Sequence, residues 1–442
     1  MRRVALLALI AGSLAGCSAL PDWWAASDKP PLPGDRISVL ALEKALEPDP
    51  RIADLQVRLP RPWPNPDWPQ PGGYPSHAMQ HLALGDATTT LWRADIGASS
   101  DSEERIVAPP VVAGNHVFAM DARSTVTAFD AQTGTRRWRV DLTPRGEDHG
   151  AIGGGVTFDS GRLYATTAYG EVVALEAETG KVLWRRALTS PFRAPPTVGA
   201  NRVFAVGSDS QLHVLAGDSG ETIWTHVGIQ EAAGLLGAAG PAVDGGMVVV
   251  PFSSGELYGL RADNGVVAWN DALIRTGRVS PVGLINDITG LPVIDRGRVF
   301  AIGHAGRMVA IDLRTGERVW EQEIAGLQSP WVAGDFVYVV TLDAELICMS
   351  QRDGRVRWVR QLDRYRDPNS RSDKGRVVWY GPVLGGDRLV LASSQGEAIS
   401  VSPYTGEVLG RMKLSGAAAT APVIANGILY LLTTDARLLA LK

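Results

Sequence analysis

The sequence predicts an all-β fold, an eight-bladed β-propeller of four-stranded antiparallel blades. Three observations predict it. A strand–turn–strand–turn–strand phrase recurs along the chain, a Gly-to-Trp spacing inside it is constant, and one end of the chain lacks the strand that the other end has to spare. The phrase is clearest at 161–188, GRLYATTAYGEVVALEAETGKVLWRRAL. Residues 162–166 and 171–176 read as strands, Thr179-Gly180 closes a tight loop, and 181–187 is a third strand containing Trp184. Val, Leu, Tyr and Trp alternate there with a short period, which is the strand signal. Glycine at the loop end suits a position with φ > 0.

The loop-to-tryptophan half appears as Gly134/Trp138, Gly180/Trp184, Gly220/Trp224, Gly265/Trp269, Gly316/Trp320 and Gly354/Trp358, always four residues apart. A seventh loop, Thr405-Gly406, has Gly410 where the Trp would stand, and an isolated Trp92 lies upstream without a loop before it. The other half is a hydrophobic strand after a Gly or Asn turn. It occurs eight times, at 116–120, 162–166, 202–206, 247–251, 298–302, 336–340, 388–392 and 428–432, with spacings of 38 to 52 residues. The chain ends at Lys442, where an eighth loop should begin. The missing strand is available at 89–96, TTLWRADI, with Trp92 in register. An N-terminal strand therefore completes the C-terminal blade. Radial repetition of this kind leaves only short, protected edges. The remaining strand of each blade is the short segment before each turn, such as 108–112 or 422–425. The seven tryptophans, Trp92, Trp138, Trp184, Trp224, Trp269, Trp320 and Trp358, read as apolar plugs between neighbouring blades, because they recur all round the ring.

Composition fits this fold and narrows the function. The 49 glycines and 28 prolines among 442 residues have no collagen period and supply turns. Net charge is −4, from 43 basic and 47 acidic residues, which excludes a nucleic-acid footprint. Two cysteines, Cys17 and Cys348, cannot make a disulfide framework.

In chain order, residues 1–16 carry Arg2-Arg3 and a short apolar run that reads as an export signal, too short to span a bilayer. The run ends in Leu14-Ala15-Gly16-Cys17, which resembles a bacterial lipobox. That resemblance implies a lipidated Cys17, and Ser18 in place of Asp favours the outer membrane. Residues 17–84 carry no blade pattern and many prolines, and read as a tether between lipid and ring. Residues 36–46 fit a short helix or a strand. Trp23, Trp24, Trp63 and Trp68 are unusual in a free linker, so part of the segment should lie against the propeller or a partner. The propeller takes 85–442.

The sequence offers no catalytic or metal site. Gly217-Asp218-Ser219-Gly220 matches the surroundings of a serine nucleophile but occupies the repeat's turn. The seven histidines are scattered, and His77 and His81 stand in non-helical, Pro-rich sequence. Cys348 sits in a strand at 345–350 and reads as a buried thiol. The glycines at 150–155 lead into a strand, not the helix a phosphate loop needs. Two inter-blade connections stand out instead. One is 229–240, with Leu235-Leu236 in a flexible loop; the other is 275–291. They flank one blade, so their ends meet on one face, and loops on a rigid scaffold commonly carry binding function. A third long loop, 363–376, holds five basic and three acidic residues and reads as a solvated insert.

The copies AFDAQTGTRRW (128–138) and ALEAETGKVLW (174–184) resemble the repeat of quinoprotein (PQQ-type) propellers. With the lipobox, the eight blades and the length, the chain is similar to the family of lipoprotein B subunits of the outer-membrane β-barrel assembly machinery, over roughly 67–442. The resemblance implies a non-enzymatic, cofactor-free scaffold. It would be lipid-anchored in the outer membrane and face the periplasm. Its partners would be the POTRA domains of the barrel subunit and unfolded outer-membrane proteins. The implied contact residues are Leu235, Leu236, Asn286, Asp287 and Thr289. Leu236 stands where the family has an arginine, and Thr289 where it has an acidic residue, so the polar part of the contact is rewired. Two alternatives share the architecture: a PQQ-dependent quinoprotein dehydrogenase, and a periplasmic ligand-binding or sensor propeller. The first would need a vicinal cysteine pair, which this chain lacks.

Overall fold

Alternating apolar strands of five or six residues cannot bury both faces alone, so they stack as blades around an axis. The computed structural model describes residues 46–148, 151–231, 235, 237–274, 286–367 and 375–442. Cys17 and Leu236 lie outside the described residues. Among these, 32 strands form eight four-stranded antiparallel sheets. Blade 1 is Val111–Ala113, His116–Met120, Thr125–Asp130 and Arg136–Asp141, paired in that order from the axis outwards. Blades 2 to 7 repeat it, with first strands beginning at Gly154, Thr197, Ala242, Val293, Trp331 and Trp379. Blade 8 takes Val423–Ala425, Ile428–Leu432 and Arg437–Leu441 from the C-terminus and Thr90–Asp95 from the N-terminus as its outer strand. Trp92 pairs with Ala440, and Thr89 and Lys442 exchange backbone bonds of 3.0 and 2.8 Å. The closure expected from the strand arithmetic is therefore present.

Each tryptophan reaches across a blade boundary. Trp92, Trp138, Trp184, Trp224, Trp269, Trp320 and Trp358 lie against Gly134, Gly180, Gly220, Gly265, Gly316, Gly354 and Gly406 of the following blade. A Cβ on any of these glycines would come within 2.4 to 2.7 Å of the tryptophan side chain. Their φ angles, +70° to +76°, are a second reason for glycine. Six of the seven indole N–H groups donate to the carbonyl three residues before that glycine, at 2.7 to 3.1 Å. Trp224 makes the same ring contact without the bond. In the blade 7 outer strand, Gly410 faces nothing within 4 Å, because blade 8 contains the chain break and has no loop there.

The outer strand is bulged one residue before the Trp position in all eight blades. In blade 2, for example, Trp184 pairs with Ala174 but Val182 pairs with Leu175, so Leu183 is left over. The same step occurs in the others. A bulge sharpens local twist and re-aims side chains. It turns Leu91, Leu183, Ile223, Val319 and Leu409 outwards, and all five are exposed. Opposite six of the seven Trp residues stands a small residue, including Ala174, Ala310 and Cys348, and opposite Trp224 stands Val214. Cys348 is fully buried, and burial pushes its thiol well up from the ordinary range.

Residues 46–84, read from sequence as tether, pack on the ring. Residues 65–82 circle the axis and bond the inner strands in order. Asn65 binds Ile424 O and Asn426 N of blade 8, at 2.6 and 2.8 Å. Trp68 exchanges both backbone bonds with Val112 of blade 1, and Pro69 O accepts from Phe158 of blade 2. Gln70 accepts from Val198 N and donates to Val198 O of blade 3, at 3.0 and 2.7 Å. Pro75 O and Ser76 O accept from Val243 and Ile294 of blades 4 and 5. Gln80 Oε1 accepts from Gly334 N of blade 6, and Leu82 N donates to Leu384 O of blade 7. The physical reason is that the innermost strand of every blade is an open edge whose peptide groups need partners. Proline suits such a strap, since it can offer carbonyls without a donor of its own.

Gly354→Ala should lower stability by about 1–3 kcal/mol through strain and the Trp320 contact, whereas Gly410→Ala should shift it by less than about 0.5 kcal/mol or raise it slightly. Urea-unfolding midpoints of the two variants check this. Gln70→Ala leaves both polar groups of the buried Val198 peptide unpaired and should cost about 1–3 kcal/mol by the same measurement.

Candidate functional site

Antiparallel pairing places the outer-to-inner connections of all blades on one face and the Gly–Trp loops on the other. The strap bonds turn residues such as Gly114, Gly334 and Asn426 at the loop face. The connection face carries the described parts of 229–240 and 275–291, the two segments singled out by sequence.

The structure joins the described parts of these two segments. Asp287 Oδ2 accepts from the Leu235 N–H at 2.8 Å, and Arg193 Nη1 donates to Leu235 O at 3.2 Å. Leu235 is thus pinned on both sides of its own backbone, with its side chain half-buried. Asp287 is 3% exposed. Burial pushes its carboxyl above the usual range, against the pull of the Leu235 N–H and of Arg193. Asp287 is placed here as a residue that positions Leu235, a role its number in the sequence did not reveal.

Its neighbours anchor the same segment. Asn286 is half-buried and its carbonyl lies against Gly255 of blade 4. The Asp287 carbonyl accepts from His304 N of blade 5 at 3.0 Å. Thr289 Oγ1 donates to Leu327 O before blade 6 at 3.1 Å, and Ser329 Oγ accepts from Leu291 N at 2.9 Å. So Leu235, Asn286, Asp287 and Thr289 are brought together. Arg193 carried no sequence signal, since its role appears only when blades 3, 4 and 5 close up.

Inside this rim is a central cavity of about 650 Å³. Leu235 and Thr289 line it near the connection face, and Trp68, Gly72, His77 and Trp331 line it at the strap. Trp68 and Trp331 stack, with centroids 6.1 Å apart and planes at 20°. No Asp, Glu, Lys or Arg lines it among the described residues. A quinone cofactor bearing carboxylates and a calcium ion does not fit this lining. No group of three or more His, Cys, Asp or Glu is arranged to hold a metal among the described residues. His77 and His81 do not share a site: their Nδ1 atoms meet Pro292 O and Pro60 O, at 2.7 and 2.8 Å.

Raising the pH from about 4 towards 7 should cost the wild type stability relative to Asp287→Asn. The folded state holds the Asp287 proton to higher pH than the unfolded chain, so the stability it contributes is lost as pH rises through the raised value. Thermal midpoints of the two proteins across that range check the sign. Asp287→Ala, which removes the acceptor for Leu235 N–H, should speed protease cleavage within 229–240.

The family model described as outer membrane protein assembly factor BamB matches residues 122–360 and 366–442. Curated proteins of that name resemble the chain. The one from Moranella endobia is 24% identical over 230 residues, 52% of this chain and 56% of the relative. The one from Alkalilimnicola ehrlichii is 31% identical over 210 residues, 47% of this chain and 52% of the relative. The chain spans about half the length of the curated relatives it matches. Among solved structures, BamB from Moraxella catarrhalis aligns with a TM-score of 0.65 at 20% identity, over 80% of this chain and 98% of that one. Quinohemoprotein alcohol dehydrogenase from Comamonas testosteroni aligns with a TM-score of 0.62 at 13% identity, over 83% and 76%. At these identities the structural likeness shows the fold alone.

Proposed function

The chain belongs to the family of the outer membrane protein assembly factor BamB, and on that premise we propose that it is a non-enzymatic scaffold for outer-membrane protein assembly. It is anchored in the outer membrane through lipid on Cys17, faces the periplasm, and binds the POTRA domains of the barrel subunit. In doing so it assists the folding and insertion of outer-membrane β-barrel proteins. The observation that carries this reading is the double clamp on Leu235. The backbone N–H and carbonyl of Leu235 are held by a buried carboxylate and an arginine that come from the connections beside other blades. Holding an interface loop before the partner arrives reduces the ordering cost of binding. Leu235 and Leu236 supply the apolar part of the contact, and Asn286 and Thr289 flank it. Asp287 contributes through Leu235.

On this reading the clamp keeps the contact centred on Leu235 despite the polar changes at Leu236 and Thr289. An interface centred on apolar side chains depends on their placement more than on rim charges, which contribute little each.

Titration calorimetry of the full-length Cys17→Ala chain with the POTRA domains of the same organism's barrel subunit should give saturable one-to-one binding. Leu235→Asp should weaken it at least about tenfold, the scale of losing a central apolar anchor. Absence of saturable heat with the wild-type sequence would overturn the scaffold reading; unchanged affinity in Leu235→Asp would overturn the loop assignment.

A further inference from the structure

We propose that the outer edge of blade 3 is a docking surface for an extended partner segment with apolar residues at alternate positions, which adds to the blade as a fifth strand. The inference is independent of the POTRA-binding reading. It concerns the strand Thr222–Val227, the outermost of its sheet, which pairs with Gln211–Ala216 alone. An outermost strand leaves one row of peptide groups without partners, and such a row is a template for another chain.

Every blade has such a row, but seven of the eight are guarded by charge. Each of the other seven outer strands contains at least one Asp, Glu, Lys or Arg. Thr222–Val227, TIWTHV, contains none, and no proline either. Charge and proline are the usual devices that keep an edge from pairing. Burial against Phe252 and Tyr258 pushes the His226 imidazole below its ordinary pKa, so it adds no charge at neutral pH. Three apolar side chains along the edge stand in solvent: Ile223 is 44% exposed, Val227 63% and, just beyond the strand, Ile229 59%. A partner residue opposite them stabilises the pairing when it is aliphatic or β-branched, whereas a charge there meets none of opposite sign within the strand.

The register tells which peptide groups are free. At the two ends of the pair, Gly228 N–H donates to Ser210 O and Ala216 N–H to Glu221 O, each at 2.8 Å. Bonded and unbonded residues alternate along an antiparallel pair, so Thr222, Thr225 and Val227 turn their peptide groups away from the sheet. No backbone bond reaches that edge from elsewhere among the described residues. Blade 6 shows the same geometry in use. Val356 pairs with Met349 as Thr222 pairs with Leu215, each just before the bulge. Val356 O accepts from Asp49 N at 2.8 Å, and Arg357 Nε donates to Leu55 O at 2.8 Å, so the segment that leads into the strap lies along this outer edge. The outward carbonyl of an outer strand is therefore open to an added chain in this molecule, and on blade 3 the equivalent carbonyl belongs to Thr222. At the far end of the strand, Ile229 N–H donates to Glu256 Oε2 at 2.8 Å. That bond fixes the exit from the strand, so the edge runs straight into the segment that carries Leu235 on the connection face.

The test uses the peptide acetyl-KTVTVTVE-amide carrying a fluorophore, titrated into the full-length Cys17→Ala chain and read by anisotropy. Saturable one-to-one binding is expected. The same peptide methylated on its six central backbone nitrogens cannot donate and should bind at least about tenfold more weakly. Thr225→Pro removes an outward donor and no bond within the sheet, and Val227→Lys puts a charge on the edge. Each should weaken binding about tenfold, the scale of one hydrogen bond lost from a guarded edge. Val319→Lys, the same kind of change at an exposed residue of the blade 5 outer strand, should leave binding unchanged. Absence of saturable binding to the wild-type sequence overturns the proposal, and so does full affinity in both Thr225→Pro and Val227→Lys. Dimerisation of the wild-type sequence in sedimentation, abolished by Val227→Lys, overturns it too, because the occupant is then a second copy. The Val227 side chain stands mostly in solvent, so Val227→Lys decides should Thr225→Pro fail to fold.

Discussion

The tryptophan that lies on the next blade's glycine is the contact on which the ring depends. Each instance combines a large apolar area with a specific backbone geometry, since only glycine can hold φ near +70° with a ring within van der Waals reach. Truncating a buried Trp typically costs about 3–5 kcal/mol. A whole domain is stable by only about 5–15 kcal/mol, so two such contacts rival the total. The device is repeated seven times, and its eighth occurrence is absent at the one boundary where the chain break removes the loop. A Trp at position 410 would have had nothing to rest on. The outer-strand bulge belongs to the same device, because it adds the local twist that carries the ring over the boundary.

The second constraint is set by the inner edge. Eight short strands around an axis leave eight rows of unpaired peptide groups, and a ring of this size cannot pair them with one another. The strap from Asn65 to Leu82 pairs them by running once round the axis. Its partners are side-chain amides where the spacing requires reach, as at Gln70 and Gln80, and backbone where the chain passes close, as at Trp68 and Leu82. The ring is therefore fastened at both of its edges: the strand Thr90–Asp95 closes blade 8 from outside, and the strap holds the blades from inside.

The ring was legible because it repeats. A Gly-to-Trp spacing of four, seen six times, specifies a hairpin whatever the intervening residues are, and the unpaired Trp92 gave the closure. The bulge was not legible, since Leu183 and Trp184 differ only in which side of the strand they take, and periodicity alone does not mark a skipped residue. The strap was legible only as an excess of Trp and Pro over 60–84; its hydrogen bonds reach residues more than three hundred positions away, as from Asn65 to Ile424. In the candidate site, Leu235 and Asp287 were picked out by their loops and by resemblance. That Asp287 would be buried, and would act on Leu235 instead of facing outwards, follows from the closing together of blades 3, 4 and 5, and a single sequence carries no trace of that.

The two faces have become unlike for a physical reason. The loop face is committed to structure: its glycines carry the tryptophans and its turns carry the strap, so most substitutions there disturb a blade boundary. The connection face has no such duty. Its segments vary from short turns to 275–291, and the fold tolerates this because they join elements already fixed by their own sheets. A propeller of this kind can serve chemistry in one family and assembly in another with the same blades. Among the described residues the cavity wall carries no charged side chain that would hold an ionic cofactor, while the connection face holds a leucine in place with a buried carboxylate and a guanidinium. Burying a carboxylate is costly unless it meets a donor and a cation. That the fold accepts this cost to fix the backbone of one loop residue is the physical argument for reading the loop, not the axis, as the place where this protein meets its macromolecular partner.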